Sequence, residues 1–109
     1  MAYDEDLADR IRSLMGRRKY VEKKMFGGLA FLVGGNMSVA ASGQGGMMVR
    51  CDPAETDKLL KLKGAEPFVM RGKAMDGWLR VDAAGVKTDK QLGAWVERGV
   101  AYASSLPAK

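Results

Sequence analysis

Short apolar runs separated by glycines are the feature that most constrains this fold. Two glycine pairs, at 27–28 and 34–35, divide the stretch 23–40 into apolar segments of a few residues, and 42–46 is another Gly-rich segment. Strands have this length, and tight turns between them take glycine because its backbone adopts positive φ at little cost. The pattern, which begins from Tyr20, therefore predicts three or more consecutive antiparallel strands joined by tight turns, with no crossover helix.

The first glycine pair could instead cradle a phosphate, which would indicate a nucleotide site. A phosphate-binding loop leads directly into a helix N-terminus and carries Lys-Ser or Lys-Thr, or the spaced glycines of a dinucleotide fold. Gly27 and Gly28 precede the apolar run Leu29–Val33, which is typical of a strand. We therefore interpret these glycines as turn or bulge residues that also permit a close approach of another backbone.

Three segments carry the start and stop signals of helices. The first, 4–16, has apolar residues spaced at i, i+4, i+7 and i+8 and ends at a glycine. The second, 52–64, starts with Asp-Pro, and the third, 88–107, starts with a Thr-x-x-Gln capping box and contains a proline stop. The sequence therefore predicts one helix before the glycine-rich strands and two after them.

Two further strands are predicted between the second and third helices, over Pro67–Met70 and Trp78–Val81. The loop between them contains an Asp-Gly pair, which is a strong turn signal. The element order over residues 1–109 is then α-β(3)-α-β(2)-α. This order indicates a single α+β domain, with an antiparallel sheet of about five strands and helices packed against it.

The composition is typical of one globular domain. The chain has 109 residues, 47% of them apolar, which is enough for one core. Its only cysteine, Cys51, cannot form an intramolecular disulfide, and no secretory signal or apolar run of roughly 20 residues is visible. Trp78 and Trp95 follow a strand and a helix pattern and are predicted to lie in the core. We expect a cytoplasmic protein without membrane contact.

The residue types exclude the commonest catalytic sites. The chain contains no histidine, so a Ser-His or Cys-His nucleophile cannot form. Its carboxylates lack the spacing of a metal cage, and Cys51 stands where a small packed residue is typical. We expect no catalytic, metal-binding or cofactor-binding residue and no enzyme activity. The weaker alternative is an enzyme or small-ligand protein with a pocket near Cys51 and the loop 71–78.

A basic cluster is the best functional feature that the residues provide. Five cations fall between residues 17 and 24, with Glu22 as the only acid, in a chain of net charge +5. Such a cluster can contact an acidic protein or the phosphates of DNA or RNA. The cluster lacks the interleaved aromatic platform of many single-strand binding surfaces. The candidate contact residues are Arg17, Arg18, Lys19, Lys23 and Lys24.

Several short motifs together resemble the N-terminal domain of the TfoX/Sxy family of competence regulators. They are KMFGGLAF at 24–31, GNM at 35–37, MVR at 48–50, GKAMDGW at 72–78 and LGAWV at 92–96. The resemblance extends over nearly the whole chain, and the Met-Phe-Gly-Gly stretch with the later Gly-Trp loop is its most specific part. The residues that carry this fold signature are Met25, Phe26, Gly27, Gly28, Gly77 and Trp78.

The resemblance implies an α+β domain of the bacterial cytoplasm with no known catalytic residues. Two-domain members regulate transcription of DNA-uptake genes beside an activator of the cAMP-receptor type, and this chain stops where their second domain would begin. We expect a regulatory module that acts on transcription through a protein partner, with the basic cluster as its contact face. Direct nucleic-acid binding is the alternative, and self-association into a homodimer through an exposed sheet edge or face is also expected.

Overall fold

One antiparallel sheet and the helices on it make up the described chain. The computed structural model describes residues 3–25, 27–43, 45–70 and 72–107, and within them the sheet has six strands. In chain order the elements are α1 (Glu5–Met15), β1 (Val21–Met25), β2 (Gly28–Val33), β3 (Asn36–Ala41), β4 (Met47–Arg50), a 3₁₀ turn (Pro53–Glu55), α2 (Thr56–Leu59), β5 (Ala65–Met70), β6 (Lys73–Val81), a second 3₁₀ turn (Ala83–Gly85) and α3 (Asp89–Ser105).

The predicted α+β class is confirmed, and the meander is one strand longer than predicted. The strands lie in the order β1-β2-β3-β4-β6-β5, so the four of the meander are neighbours and the hairpin of β5 and β6 continues the sheet beyond β4. The additional strand is β1, with the sequence VEKKM. Its polar composition suits an edge strand, where charged residues face solvent, and for that reason it lacks the apolar run that marks the inner strands.

The turn glycines are confirmed by their backbone angles. Gly34 and Gly35, between β2 and β3, have φ of 60° and 82°. Gly28 serves a different purpose, because a Cβ atom there would lie 2.2 Å from the carbonyl oxygen of Ala41 on the neighbouring strand. The first glycine pair therefore shapes a turn and a close contact between two backbones, as expected from its place before a strand.

The main core lies between one face of the sheet and the helices α1, α2 and α3. The predicted cap of α1 is present, with Asp4 accepting from the N–H groups of Asp6 and Leu7, and so is the Thr88 capping box of α3. The buried core residues from the helices are Leu7, Ala8, Ile11, Met15, Leu59, Leu92, Trp95, Val96 and Val100. No helix within the described residues is long and apolar enough to cross a lipid bilayer.

The other face of the sheet carries a second, smaller apolar cluster, and we call it the open face. Every residue of this cluster lies in a strand: Ala30, Met37, Ala40 and Met48 are buried, and Leu32, Phe68 and Trp78 are partly buried. The prediction that both tryptophans are core residues is confirmed for Trp95 in the main core, whereas Trp78 is partly buried and packs against this second cluster. The helices thus form a layer on one side of the sheet only.

Helix α3 touches the sheet most closely at Gly99. A Cβ atom at this position would lie 2.5 Å from the carbonyl oxygen of Ser38 and 2.7 Å from Cγ1 of Val39. Both neighbours belong to the central strand β3, which cannot yield without disturbing the sheet. A side chain at Gly99 would therefore push α3 away from the core.

We predict opposite effects for two Gly→Ala substitutions in α3. Gly99→Ala should destabilise the protein by about 1–3 kcal/mol, since overpacking against β3 outweighs the gain in helix propensity. Gly93→Ala is the matched control, because its Cβ would meet only Cδ2 of Leu14, at 3.7 Å, and alanine should add up to about 1 kcal/mol there. Urea unfolding of both variants gives the two values, and equal effects would contradict this account of Gly99.

Candidate interaction surface

The basic cluster begins where α1 turns back toward the sheet. Gly16 ends the helix with φ of 60°, and its N–H donates to the carbonyl oxygen of Arg12 at 3.2 Å. The N–H of Arg18 then donates to the carbonyl of Met15, also at 3.2 Å. These two bonds hold residues 16–20 in a tight connection from α1 to the edge strand β1.

Arg18 forms an ion pair with α3 and is only partly exposed. Its guanidinium forms an ion pair with the carboxylate of Glu97, which lies 79 residues away in the chain. Its Nη1 atom is buried and has no hydrogen-bond partner within the described residues. Arg18 therefore fastens the turn to α3, and Glu97 compensates its charge, whereas the other four predicted cations form no ion pair within the described residues.

Glu22, the only acid among the basic residues, is neutralised by an arginine. Nε and Nη2 of Arg12 donate to the two carboxylate oxygens of Glu22 at 2.7 and 2.9 Å, and Arg12 also contacts Asp9. The hydrogen bonds from Arg12 hold the pKa of Glu22 below its usual value, and they raise the pKa of Arg12. The carboxylate of Glu22, which could otherwise offset the positive charge of the basic cluster, is therefore already paired with Arg12 of α1.

The four remaining cations are exposed, and we call them the basic edge: Arg17, Lys19, Lys23 and Lys24. None of them forms an ion pair within the described ranges. Lys23 is paired with Ala30 of β2 and lies on the open face, whereas Lys24 is paired with Leu29, a core residue, and lies on the helix side. Four of the five predicted residues therefore lie along one edge of the sheet, and the two lysines point to opposite faces.

The residues of the fold signature lie in two separate places. Gly27, with φ of 73°, and Gly28 form the turn after β1, where the backbone of Met25 is paired with Gly28, and Phe26 lies outside the described residues. Gly77 and Trp78 lie in β6, four strands away. The N–H of Gly77 donates to Oγ1 of Thr56 at 2.9 Å, which ties β6 to α2.

The region of Cys51 contains a cavity but no activated thiol. Cys51 is only 2% exposed, and its sulfur lies 3.8 Å from Oγ1 of Thr56. Burial raises the pKa of the thiol above its usual value, which disfavours the reactive thiolate. A cavity of about 320 Å³ adjoins it, lined by Cys51, Asp52, Glu55, Leu59, Arg98, Ala101 and Tyr102. Within the described part of the chain, no three Cys, Asp or Glu residues are grouped so that they could hold a metal ion.

Sequence reasoning missed the two arginine–glutamate ion pairs that distinguish the paired cations from the unpaired ones. Arg12 and Glu22 are ten residues apart and Arg18 and Glu97 are 79 apart, so neither pair has the i,i+4 spacing that marks a helical ion pair. Only the folding of α1 and α3 against the same side of the sheet brings these groups together. The sequence therefore identified where positive charge is concentrated, and the structure shows which part of it is free.

Comparison with family models finds a match between residues 12–103 and the TfoX N-terminal domain. The matched range contains the whole sheet, the basic edge and both parts of the fold signature. No curated protein and no solved structure matches the chain.

The pair of Arg12 and Glu22 should make stability depend on pH. Because the pKa of Glu22 is lowered in the folded state, its stabilising effect is present above the unfolded value of 4.5 and is lost as the pH falls through the folded value. Both side chains are about one-third exposed, so we expect Glu22→Gln to cost about 0.5–1 kcal/mol near pH 7. Near pH 3 the variant and the wild type should differ much less.

Urea unfolding at both pH values measures this difference. Glu55→Gln is the control, since Glu55 is exposed and forms no ion pair within the described residues. A loss of stability in Glu22→Gln that is the same at low and neutral pH would contradict the assigned role of the pair.

Proposed function

As this chain belongs to the TfoX N-terminal domain family, we propose that it is a non-enzymatic regulatory module that acts on transcription through a protein partner. The observation that carries the proposal is the basic edge: four exposed cations that form no ion pair with any described residue lie beside an acid, Glu22, that Arg12 already neutralises. Such a surface attracts an acidic partner and orients it during encounter. The proposed role places the protein in the bacterial cytoplasm.

The position of the basic edge also indicates the kind of partner surface. β1 is the first strand of the sheet, and among the described strands its one neighbour is β2. Lysines on an edge strand discourage pairing with arbitrary strands, because each new neighbour must accommodate their charge. Since Lys23 and Lys24 lie on opposite faces, a partner that places acidic side chains on both sides of this edge would complement it best.

Direct binding of nucleic acid is the second candidate function, and the same four unpaired cations favour it. Each Lys or Arg that neutralises a phosphate releases counterions, and the logarithm of the affinity then falls by about 0.9 per contact for each unit of log salt. If all four cations contacted duplex DNA, the slope would be at most about 3.6. A protein partner and DNA can therefore be distinguished by titration.

We predict that charge reversal along the basic edge weakens binding to the partner by about tenfold or more. The variant is Arg17→Glu with Lys19→Glu and Lys24→Glu, and Lys23 is retained so that the open face is unchanged. The matched control reverses Lys61, Lys63 and Lys90, three exposed lysines outside the basic edge. Because both variants change the net charge equally, only a local contact distinguishes them.

The measurement is the fluorescence anisotropy of the labelled protein. The protein is titrated with a purified activator of the cAMP-receptor type and, separately, with duplex DNA at several salt concentrations. Binding of the activator that the edge variant loses and the control retains supports the first proposal. Binding of DNA with a salt slope that the edge variant reduces replaces it with the second. An edge variant that binds both as the wild type does would overturn both proposals.

A further inference from the structure

A groove beside α3 collects cations that no acid compensates, and we call it the α3 groove. It contains a cavity of about 310 Å³, whose lining includes Leu62, Lys63, Lys90, Gln91, Trp95 and Arg98. Among the described residues, no acid lines this cavity. Two of the three cations belong to α3, and the third belongs to the turn before β5. We call Lys63, Lys90 and Arg98 the groove cations.

Helix α3 separates its acids from its cations. The helix contains two acids, and each is followed directly by a cation, as Asp-Lys at 89–90 and as Glu-Arg at 97–98. Both acids form ion pairs on the α1 side, the first with Arg10 of α1 and the second with Arg18 just after α1. The cations beside them line the α3 groove instead. The acids of α3 are therefore engaged elsewhere and leave the charge of the groove uncompensated.

Arg98 is held in place by an aromatic ring. The central carbon of its guanidinium lies 4.7 Å from the centre of the Trp95 ring, three residues earlier in α3. Stacking on an aromatic face leaves the edges of the guanidinium, which carry its N–H groups, available for hydrogen bonds. Arg98 is partly exposed and forms no ion pair with any described residue. An arginine fixed in this way can bind an anion through two parallel hydrogen bonds.

The placement of the groove cations is electrostatically unfavourable without a ligand. Lys90 lies in the first turn of α3, where the helix dipole is positive and disfavours a cation. The three cations also repel one another, because they line the same cavity. Asp82, which follows β6, does not relieve this repulsion, since its carboxylate accepts from the N–H groups of Ala84 and Gly85. A bound anion would remove both costs.

We propose that the α3 groove binds a small phosphate-bearing molecule, with the phosphate between Arg98 and the two lysines. A phosphate monoester carries between about 1.5 and 2 negative charges near neutral pH, so it matches three cations better than a single carboxylate does. Arg98 holds two of its oxygens, and the lysines approach it as point charges. Leu62, whose side chain is 39% exposed, offers an apolar wall to the rest of the ligand.

Acids farther along the groove limit the size of this ligand. Arg98 also lines two adjoining cavities, of about 230 and 320 Å³, and Glu55 is part of the lining of both. Asp52 lines the larger of the two. A nucleic-acid strand laid along the groove would bring its phosphates against these carboxylates, and like charges in contact are unfavourable. The α3 groove therefore suits one small phosphate and not the polyanion considered for the basic edge.

Isothermal titration calorimetry tests the site with inorganic phosphate, glycerol phosphate and adenosine monophosphate as probes. The ionic strength is kept constant, because salt screens exposed charges. We expect saturable binding, which Arg98→Gln should weaken by about tenfold or more, since hydrogen bonds to a charged group are lost. Lys63→Gln and Lys90→Gln each remove one exposed charge and should weaken binding about threefold. Lys61→Gln is the matched control, because Lys61 is exposed in the same turn but does not line the cavity.

Tryptophan fluorescence reports binding independently. The chain has two tryptophans, and the variant Trp78→Phe leaves Trp95, beneath Arg98, as the only one. A phosphate bound to that guanidinium changes the electric field at the indole, so the emission should change with the dissociation constant found by calorimetry. Urea unfolding of every variant shows whether it is folded. If Arg98→Gln is unstable, the two exposed lysine variants still test the site.

The outcomes are independent of the proposed function, because the groove cations are separate from the basic edge and the test uses neither an activator nor DNA. Binding of a phosphate probe that the groove substitutions weaken and Lys61→Gln does not supports the site. No saturable binding of any probe at tens of millimolar overturns it. Affinity that is unchanged in all three groove variants overturns the location. Succinate that binds as tightly as the phosphate probes overturns the assignment to phosphate.

Discussion

The contact of α3 with the central strand β3 is the constraint on which the rest of the structure depends. At Gly99 the helix backbone lies against Ser38 and Val39, and the buried residues of α3 before and after this point fill the main core. The sheet is adapted to the contact, because the register between β2 and β3 shifts at Phe31 and the hydroxyl of Ser38 donates to the carbonyl of Phe31 at 2.8 Å. The bulge thus satisfies a buried hydroxyl directly beneath the helix.

The position of α3 also determines which charges remain free. α3 supplies Glu97 to Arg18, and α1, which packs beside α3, supplies Arg12 to Glu22. Both pairs hold the connection between α1 and β1 in place and compensate the charges of two cations, Arg12 and Arg18, with those of two anions, Glu22 and Glu97. The basic edge carries the remaining positive charge of the cluster. Glu22 does not offset this charge because its carboxylate is already paired with Arg12.

A helical layer on one side of the sheet leaves the edge strand β1 exposed. Lys23 of this strand lies on the open face, and Lys24 lies on the helix side. The same helical layer forms the α3 groove, and the phosphate site proposed there shares no residue with the basic edge.

The sequence by itself determined the features that depend on neighbours in the chain. Helix caps at Asp4 and Thr88, the positive-φ turn at Gly34 and Gly35, and the alternation of apolar runs with glycines are local signals, and they sufficed for the element order and the α+β class. The motifs around Gly28 and Trp78 also identified the family. Each of these signals acts through backbone angles or hydrogen bonds within a few residues, so it can be recognised without the fold.

Only the tertiary structure decided which cations form ion pairs and where Trp78 lies. Arg18 and Glu97 meet because α1 and α3 pack on the same side of the sheet, and no spacing in the sequence indicates that contact. β1 is polar because it is an edge strand, where charged residues face solvent. The groove cations come together only through the packing of α3 beside the turn that holds Lys63, since they come from separate parts of the chain.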